Sequence, residues 1–462
     1  MGAIDPIQMT QQAPNQEVLY LSGWACSSLL TSTNEVSPDF GDYPYNTVPN
    51  QVERLFNAQQ LHDRRHMDER LNMTKKQRQA TAEIDYLRPI IADGDTGHGG
   101  LTAVMKLAKL FAQKGAAAVH FEDQLHGGKK CGHLAGKVLV PMGQHVDRLV
   151  AARYQWDLMG TENLVIARSD AESGKLLSSD VDIRDHEFIK GVTEEMIPLA
   201  EEIQILEMKG ATSADIDVFE ADWAQRHQLK TFDESIIEKL QSNSAQESKI
   251  QPYLDAVQTL QNPSLRSRAK LATEHGIELP FFSWDIPRTK EGFYHYSAGM
   301  PAATKRALTY APYADLLWAE TGSPNLDVAA ALSSTVRAKF PGKIFVYNLS
   351  PSFNWSAAGF SDEALKSFIW DLAKLGFTLQ LVSLAGLHST ALASHRLSKA
   401  FREEGMLAYV RMVQEQERRE GVDVLMHQKW SGAAYMDGVV AAVQSGNSGS
   451  RALGQGNTEA AF

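Results

Sequence analysis

Pro89-Ile90-Ile91-Ala92-Asp93-Gly94-Asp95-Thr96-Gly97-His98-Gly99-Gly100 begins as an apolar run too short for a helix and ends as a loop of glycines and carboxylates. The run predicts a buried strand over 89–93, and residues 101–113 behind the loop have helical spacing. Strand, glycine-rich loop and helix form the repeating unit of a parallel α/β fold. Two readings of the loop fail on spacing. Counted from Asp93, the sixth position is His98 and the twelfth is Val104, where a calcium-binding EF-hand needs Gly and Glu. Gly97 and Gly99 lack the third glycine, at 102, of a dinucleotide fingerprint.

The same unit recurs along the chain. Further strands are expected at 18–22, 117–122, 163–168, 315–319, 343–348 and 378–383, and most run into a polar or charged residue. With 89–93 these make seven, whereas a closed (β/α)8 barrel needs eight. Residues 1–16 read as too polar to supply the eighth, so the expectation is an open sheet or a strand missing ahead of Met1. Nearly 150 residues separate the fourth and fifth strands, far more than a βα unit requires. Within them 191–287 is charged and helical in spacing, at 194–209, 235–240 and 251–260. The expected organisation is a barrel domain over 1–190 and 288–400, an α-helical insertion over 191–287, and a helical C-terminal region over 401–462 for oligomer contacts. The last twenty residues, rich in Gly and Ser, read as a mobile or partner-bound tail.

Composition bounds the function. A net charge of -11 without a long basic run argues against nucleic acid or an anionic membrane as partner. No apolar run reaches the roughly 18 residues that span a bilayer. Two cysteines, Cys26 and Cys131, cannot build a disulfide framework, which fits a reducing compartment. The terminal Glu459-Ala460-Ala461-Phe462 is no peroxisomal Ser-Lys-Leu tail.

Chemistry is expected where strands end. Lys129-Lys130-Cys131-Gly132-His133 follows the run at 117–122, and a thiol among cations has the setting that lowers a cysteine's pKa. Read blandly, the same pentapeptide is a solvated basic loop. Asp93 and Asp95, Glu122 with Asp123, and Asp39 on a long loop form an oxygen-only set, suited to Mg2+ or Mn2+ unless they are helix caps and surface charges. Arg168 and the run Asn348-Leu349-Ser350-Pro351-Ser352-Phe353-Asn354-Trp355 supply donors for a small di- or tricarboxylic acid, although the Asn and Ser residues also suit a plain turn.

Taken together and in order, Tyr20 with Ser22-Gly23-Trp24, the Asp93 loop, the 129–133 pentapeptide, Arg168, the 348–355 run and Leu384-Ala385-Gly386-Leu387-His388 resemble the isocitrate lyase family across nearly the whole chain. The resemblance implies a (β/α)8 TIM-type barrel of the isocitrate lyase and phosphoenolpyruvate mutase superfamily. It implies carbon–carbon cleavage of a hydroxy-tricarboxylate with Mg2+ or Mn2+, and a homotetramer. The insertion resembles that of eukaryotic members, and the resemblance to those eukaryotic members that cleave a methylated substrate implies the mitochondrial matrix. By the same resemblance Asp93 holds the metal, with Asp39, Asp95 and Glu122 around it. Tyr20 takes the substrate hydroxyl proton, helped by Lys129 and Lys130. His133, Asn348, Ser350 and Ser352 stabilise the succinate carbanion, which Cys131 protonates. Ser22, Gly23, Trp24, Gly132, Arg168, Trp318, Glu320, Leu381 and Ser383 complete the substrate site.

Three departures bear on the substrate. The family usually carries Cys, Phe and Thr where this chain has Leu349, Leu381 and Ser383. The last two are smaller and make room for a methyl group, as in members that cleave 2-methylisocitrate to pyruvate and succinate during propionate breakdown. A methyl group in an apolar pocket discriminates by only about 1–3 kcal/mol, so isocitrate, giving glyoxylate and succinate, stays open. Two other classes compete: a barrel of the wider superfamily with different chemistry, not expected to keep Cys131 in this pentapeptide, and a non-catalytic carboxylate-binding subunit, not expected to keep every matched residue.

Overall fold

Seven short apolar runs become strands in the computed structural model, which describes residues 1–446 and 449–462. They are β1 (Leu19–Leu21), β2 (Ile90–Asp93), β3 (Ala118–Glu122), β4 (Leu164–Ser169), β5 (Leu316–Ala319), β6 (Ile344–Asn348) and β7 (Leu379–Leu381). All neighbours pair in parallel and in sequence order, giving a nearly closed barrel. Register sets the functional rungs: Asp93 lies opposite His120, Glu122 opposite Arg168, Arg168 opposite Trp318, and Asn348 opposite Leu381. All but His120, the middle residue of β3, belong to the carboxyl half of their strands.

Period-two alternation sorts the strand side chains. Tyr20, Ile91, Ala118, Ile166, Trp318, Val346 and Leu381 fill the barrel interior, and the residues between them, such as Leu19, Ala92, Val119 and Phe345, pack outward against helices. The surrounding helices include α1 (Gly23–Leu29), α2 (Thr47–Asn72), α3 (Leu101–Lys114), α4 (Met142–Met159), α5 (Met300–Tyr310), α6 (Leu326–Lys339), α7 (Asp362–Lys374) and α8 (Ala385–Glu404). Helix α3 shows why: Val104, Leu107, Ala108 and Phe111 recur at helical spacing, and all four are buried.

The gap between β1 and β7 corrects the sequence reading of the N-terminus. Residues 1–3 fill it through backbone bonds: Gly2 N donates to Val382 O at 2.9 Å, Ala3 N to Tyr20 O at 3.0 Å, and Tyr20 N to Met1 O at 3.1 Å. Polarity was the wrong criterion, because this slot is filled by main chain. A side chain at Gly2 would collide with the Ser383 carbonyl, so glycine suits the seam.

Within 191–287 the chain forms helices Leu199–Met208, Ser213–Arg226, Phe232–Gln241, Ile250–Thr259 and Leu265–Glu274 around two small apolar clusters. The second and fifth escape the periodicity reading, although Thr212 with Asp215 forms a capping box that announces the second. The described part of the C-terminal tail is tied to its own chain. The Glu459 carboxylate accepts from Gln428 N at 2.6 Å and Lys429 N at 3.1 Å, and that of Asp437 from Ala452 N and Leu453 N, both at 2.9 Å. Residues 447 and 448 of that tail lie outside the described residues. No helix among the described residues is long and apolar enough to cross a membrane.

Candidate active site

A cavity of about 260 Å3 opens at the carboxyl ends of the strands. Of the residues singled out from sequence, Tyr20, Ser22, Trp24, Asp39, Asp93, Cys131, Gly132, His133, Arg168, Trp318, Glu320, Asn348, Ser350, Ser352 and Ser383 line it. Gly23, Asp95, Glu122, Lys129, Lys130 and Leu381 stand behind this lining and act on it through neighbours.

One wall is acidic. Asp93 ends β2, and its Oδ2 accepts from Gly23 N at 2.9 Å and from the Tyr20 hydroxyl at 3.4 Å. Asp39 and Asp95 share the Lys129 ammonium, at 2.6 and 2.7 Å. Both carboxylates sit on left-handed backbone, at φ of 65° and 51°, a conformation costly for residues other than glycine and concentrated at functional sites. Tyr43, absent from the sequence reading, donates its hydroxyl to Asp95 Oδ2. One ammonium cannot neutralise two buried carboxylates. Burial, against Lys129 and with the help of Asp95 and Asp93, pushes Asp39 up to about 7, whereas Lys129, overcoming burial, holds Asp95 below its ordinary range.

The opposite wall consists of donors. Burial alone would lower the Arg168 guanidinium, but Asp170, Glu122 and Glu320 hold it well above its ordinary value. Arg168 Nε lies 3.0 Å from Asp170 Oδ2 and 3.3 Å from Glu122 Oε2, and its guanidinium faces the Trp318 ring at 5.0 Å. Burial raises the Glu122 carboxyl well above its ordinary range, against the pull of Arg168 and Lys129. The Glu320 carboxylate accepts from Trp318 Nε1 at 2.9 Å and Asn348 Nδ2 at 3.0 Å. Ser350 Oγ lies 2.7 Å from His133 Nε2 and accepts from Ser352 N at 3.1 Å. Desolvation, against the pull of Glu320, keeps the His133 ring below its ordinary pKa and so neutral at pH 7.

Cys131 lies where the two walls meet, and two expectations about its loop are corrected. Its flanking lysines were expected to lower its pKa, but burial and Asp39 push the thiol above its ordinary value, outweighing the His133 backbone N–H, Lys129 and Arg168. The lysines were also expected to serve Tyr20. Lys129 is instead 2% exposed and committed to Asp39 and Asp95, and the Lys130 ammonium lies 5.0 Å over the Phe40 ring. Besides Asp93, Tyr20 has His120 as a partner, whose Nε2 is 3.0 Å from the phenol oxygen. Burial first, then Asp93, raises the Tyr20 pKa, and burial lowers that of His120, so both are neutral. His120 was legible only as one polar residue inside an apolar strand.

Gly132 allows the loop to close on the donor wall, since a Cβ there would lie 2.7 Å from Glu320 Oε1 and 3.0 Å from Arg168 Nη2. Leu387 and His388, from the first turns of α8, close the cavity and were not among the expected site residues. Leu381 lies deeper than expected. It is 0% exposed, belongs to the interior cluster with Trp318 and Tyr20, and does not line the cavity.

Carboxylate oxygens dominate and are buried, which suits a hard cation. Among the described residues, no three His, Cys, Asp or Glu side chains converge closely enough to hold an ion alone. The fit is therefore to an ion bound by one or two carboxylates with water and substrate oxygens, the usual arrangement for Mg2+.

The sequence model described as "Isocitrate lyase family" matches residues 1–462. The chain is 64% identical over 463 residues to a protein of Hypocrea atroviridis named mitochondrial 2-methylisocitrate lyase, covering all of this chain and 82% of that one. It is 51% identical over 455 residues to a mitochondrial 2-methylisocitrate lyase of Saccharomyces cerevisiae, covering 97% and 78%. To an isocitrate lyase of Pinus taeda it is 46% identical over 470 residues, covering 100% and 81%. With its strand-end residues gathered in one cavity and the family pattern matched from end to end, this chain belongs to the isocitrate lyase family.

Proposed function

We propose that the chain cleaves 2-methylisocitrate to pyruvate and succinate, with Cys131 delivering a proton to the carbon released as the succinate anion. The observation that carries this reading is the placement of one protonated thiol between an acidic and a donor wall of a single cavity. The higher identity to the Hypocrea and Saccharomyces relatives named 2-methylisocitrate lyase than to the pine isocitrate lyase supports the substrate. Ser383 on the cavity wall and Leu381 in the interior cluster with Trp318 are the residues assigned to admit the methyl group.

The residues take these roles. Arg168 binds a substrate carboxylate, and Trp318 and Glu320 hold its guanidinium in place. Asn348, Ser350, Ser352 and neutral His133 are prepositioned donors for the negative charge that develops on the succinate fragment. Ser22, Gly23, Trp24 and Gly132 shape the entrance and admit close backbone approach. Asp93, with Asp39, Asp95 and Glu122 nearby, holds the divalent cation, Mg2+ or Mn2+. Such an ion, when bound, acidifies the carbinol hydroxyl and stabilises the forming ketone oxygen. Tyr20 receives the hydroxyl proton while passing its own to His120, in the tautomer that leaves Nε2 free. Cys131 gives its S–H proton to the carbanion, and a thiol held above its ordinary pKa is stored in the form needed for that step. Lys129 fixes the spacing of Asp39 and Asp95, and Lys130 anchors the loop over Phe40.

The same reading assigns 1–190 and 288–400 to the catalytic barrel, 191–287 to an insertion and 401–462 to oligomer contacts in a homotetramer of the mitochondrial matrix. The deciding experiment measures kcat/KM for 2-methylisocitrate and isocitrate with Mg2+ and with chelator. About tenfold or greater preference for the methylated substrate, abolished by chelation, is expected. Preference for isocitrate overturns the substrate assignment, and turnover of neither overturns the lyase reading.

A further inference from the structure

We propose that Gln124 and Lys137 are positioning residues that fix the Cys131 sulfur by clamping the peptide groups on either side of it. The proposal rests on the reading of Cys131 as proton donor and deepens it.

A cysteine side chain has a single torsion before its sulfur, so the place of Sγ follows from the backbone over 130–132. That backbone belongs to a loop with a hinge glycine at each end. Gly127 and Gly136 have φ of 89° and 76°, and an added Cβ at either would meet nothing within 4 Å, so backbone conformation and not packing calls for glycine there. Between these hinges the residues next to Cys131 are held from below. The Gln124 carboxamide takes both polar groups of Lys130, accepting from its N–H at 2.9 Å and donating to its carbonyl at 2.8 Å. Lys137 Nζ donates to the Gly132 carbonyl, to Asp170 Oδ1 at 2.7 Å and to Ser173 Oγ at 2.8 Å, using all three of its N–H groups.

Both clamps stand on rigid ground. Gln124 is 0% exposed, lies two residues past the end of β3, and its carbonyl accepts from Arg148 Nη1 at 2.8 Å. Lys137 is 1% exposed and precedes the Val138–Leu139 strand, which pairs with Leu176–Leu177. A role for Lys137 as mere counterion of Asp170 leaves the Gly132 bond unexplained. Asp170 is already paired by Arg168, through Nε at 3.0 Å and Nη2 at 3.2 Å. Lys137 thereby also links the loop to the arginine assigned to the substrate carboxylate, so that thiol and carboxylate site share one frame.

The test compares Lys137→Met and Gln124→Leu with wild type by the rate at which iodoacetamide alkylates Cys131, read by peptide mass spectrometry. Cys26, buried and 0% exposed, serves as internal control. With folding verified by thermal melting, Cys131 alkylation roughly tenfold faster is expected as the loop opens more often. In the same variants kcat falls about 100-fold with KM changed far less, because the thiol and not the binding groups is displaced. A counterion or packing role would lower the melting temperature without changing Cys131 alkylation in the folded enzyme. Wild-type alkylation rates in both folded variants overturn the proposal, as does loss of folding in both. If only Lys137→Met fails to fold, the uncharged Gln124→Leu change decides. The alkylation comparison needs no substrate, so it stands even if wild type fails to turn over 2-methylisocitrate, the result that overturns the broader reading.

Discussion

Asp39, Asp93 and Asp95 crowd one side of the cavity around a single ammonium, whereas the other side presents the Arg168 guanidinium, a serine hydroxyl and a neutral imidazole. The acidic side is deficient in positive charge and rests on strained backbone at Asp39 and Asp95. The donor side has its acids matched, with Asp170 and Glu320 already hydrogen-bonded and Glu122 beside the Arg168 guanidinium. On the proposed function the difference is a division of labour: the acidic wall would attract a cation, and the donor wall would receive an anion. Cys131 belongs to neither set, and its raised pKa is what a proton donor at their boundary requires.

Removing the thiol at that boundary has the largest expected effect. Cys131→Ser keeps the shape but replaces the S–H by a hydroxyl too weakly acidic to protonate the carbanion in time. A kcat lowered about 1,000-fold, with KM within a few-fold of wild type, is expected from steady-state kinetics. Unchanged turnover ends the donor assignment. In wild type, the iodoacetamide rate at Cys131 should keep rising above pH 9 without an earlier plateau, since the shift is upward.

Lys129→Met attacks the acidic wall alone. It strands Asp39 and Asp95 without their shared ammonium, and removing one member of a buried ion pair costs about 3–5 kcal/mol. Urea unfolding at pH 8 measures this. The sign with pH is definite: without the ammonium both carboxyls have folded pKa values above their unfolded ones. The stability they contribute is then full below the unfolded value near 4 and is lost as pH rises, so the deficit shrinks at pH 5. A deficit that grows on acidification contradicts the picture of two acids sharing one cation.

Much of this division was visible in the chain before any coordinates. Asp93, Glu122 and Asn348 at strand ends, and Arg168 one residue before one, announce themselves because an apolar run that stops at a charged or amide residue sets that group at the carboxyl edge of a parallel sheet. Residues 1–3 gave no such sign, since their role lies in main-chain bonds that leave no side-chain pattern. The aim of Lys129 was equally hidden: proximity in sequence placed it beside Cys131, and only the fold shows that its partners come from a loop at Asp39 and a turn at Asp95. Tyr43 and His120 went unmarked for the same reason, each a lone polar ring whose partner is remote in sequence.

The smallest expected effect concerns the substrate and tests how far the donor wall's specificity reaches into the barrel. Ser383 touches the cavity and bonds the Asn348 side chain, Oγ to Oδ1 at 3.3 Å, while Leu381 is fully buried in the interior cluster that holds Trp318. Ser383→Thr adds one methyl group where the substrate's own is assigned. Leu381→Phe instead overfills a closed interior, and an overpacked core loses about 1–3 kcal/mol of stability. The double variant should lower kcat/KM for 2-methylisocitrate relative to isocitrate by about tenfold, within the range one methyl group can command. Because the two residues act at different depths, the single variants separate them: Ser383→Thr should carry most of the change in ratio, and Leu381→Phe most of the fall in melting temperature. The reverse partition would mean that Trp318, moved through the interior cluster, and not the cavity wall at Ser383, sets the room beside the carbinol carbon.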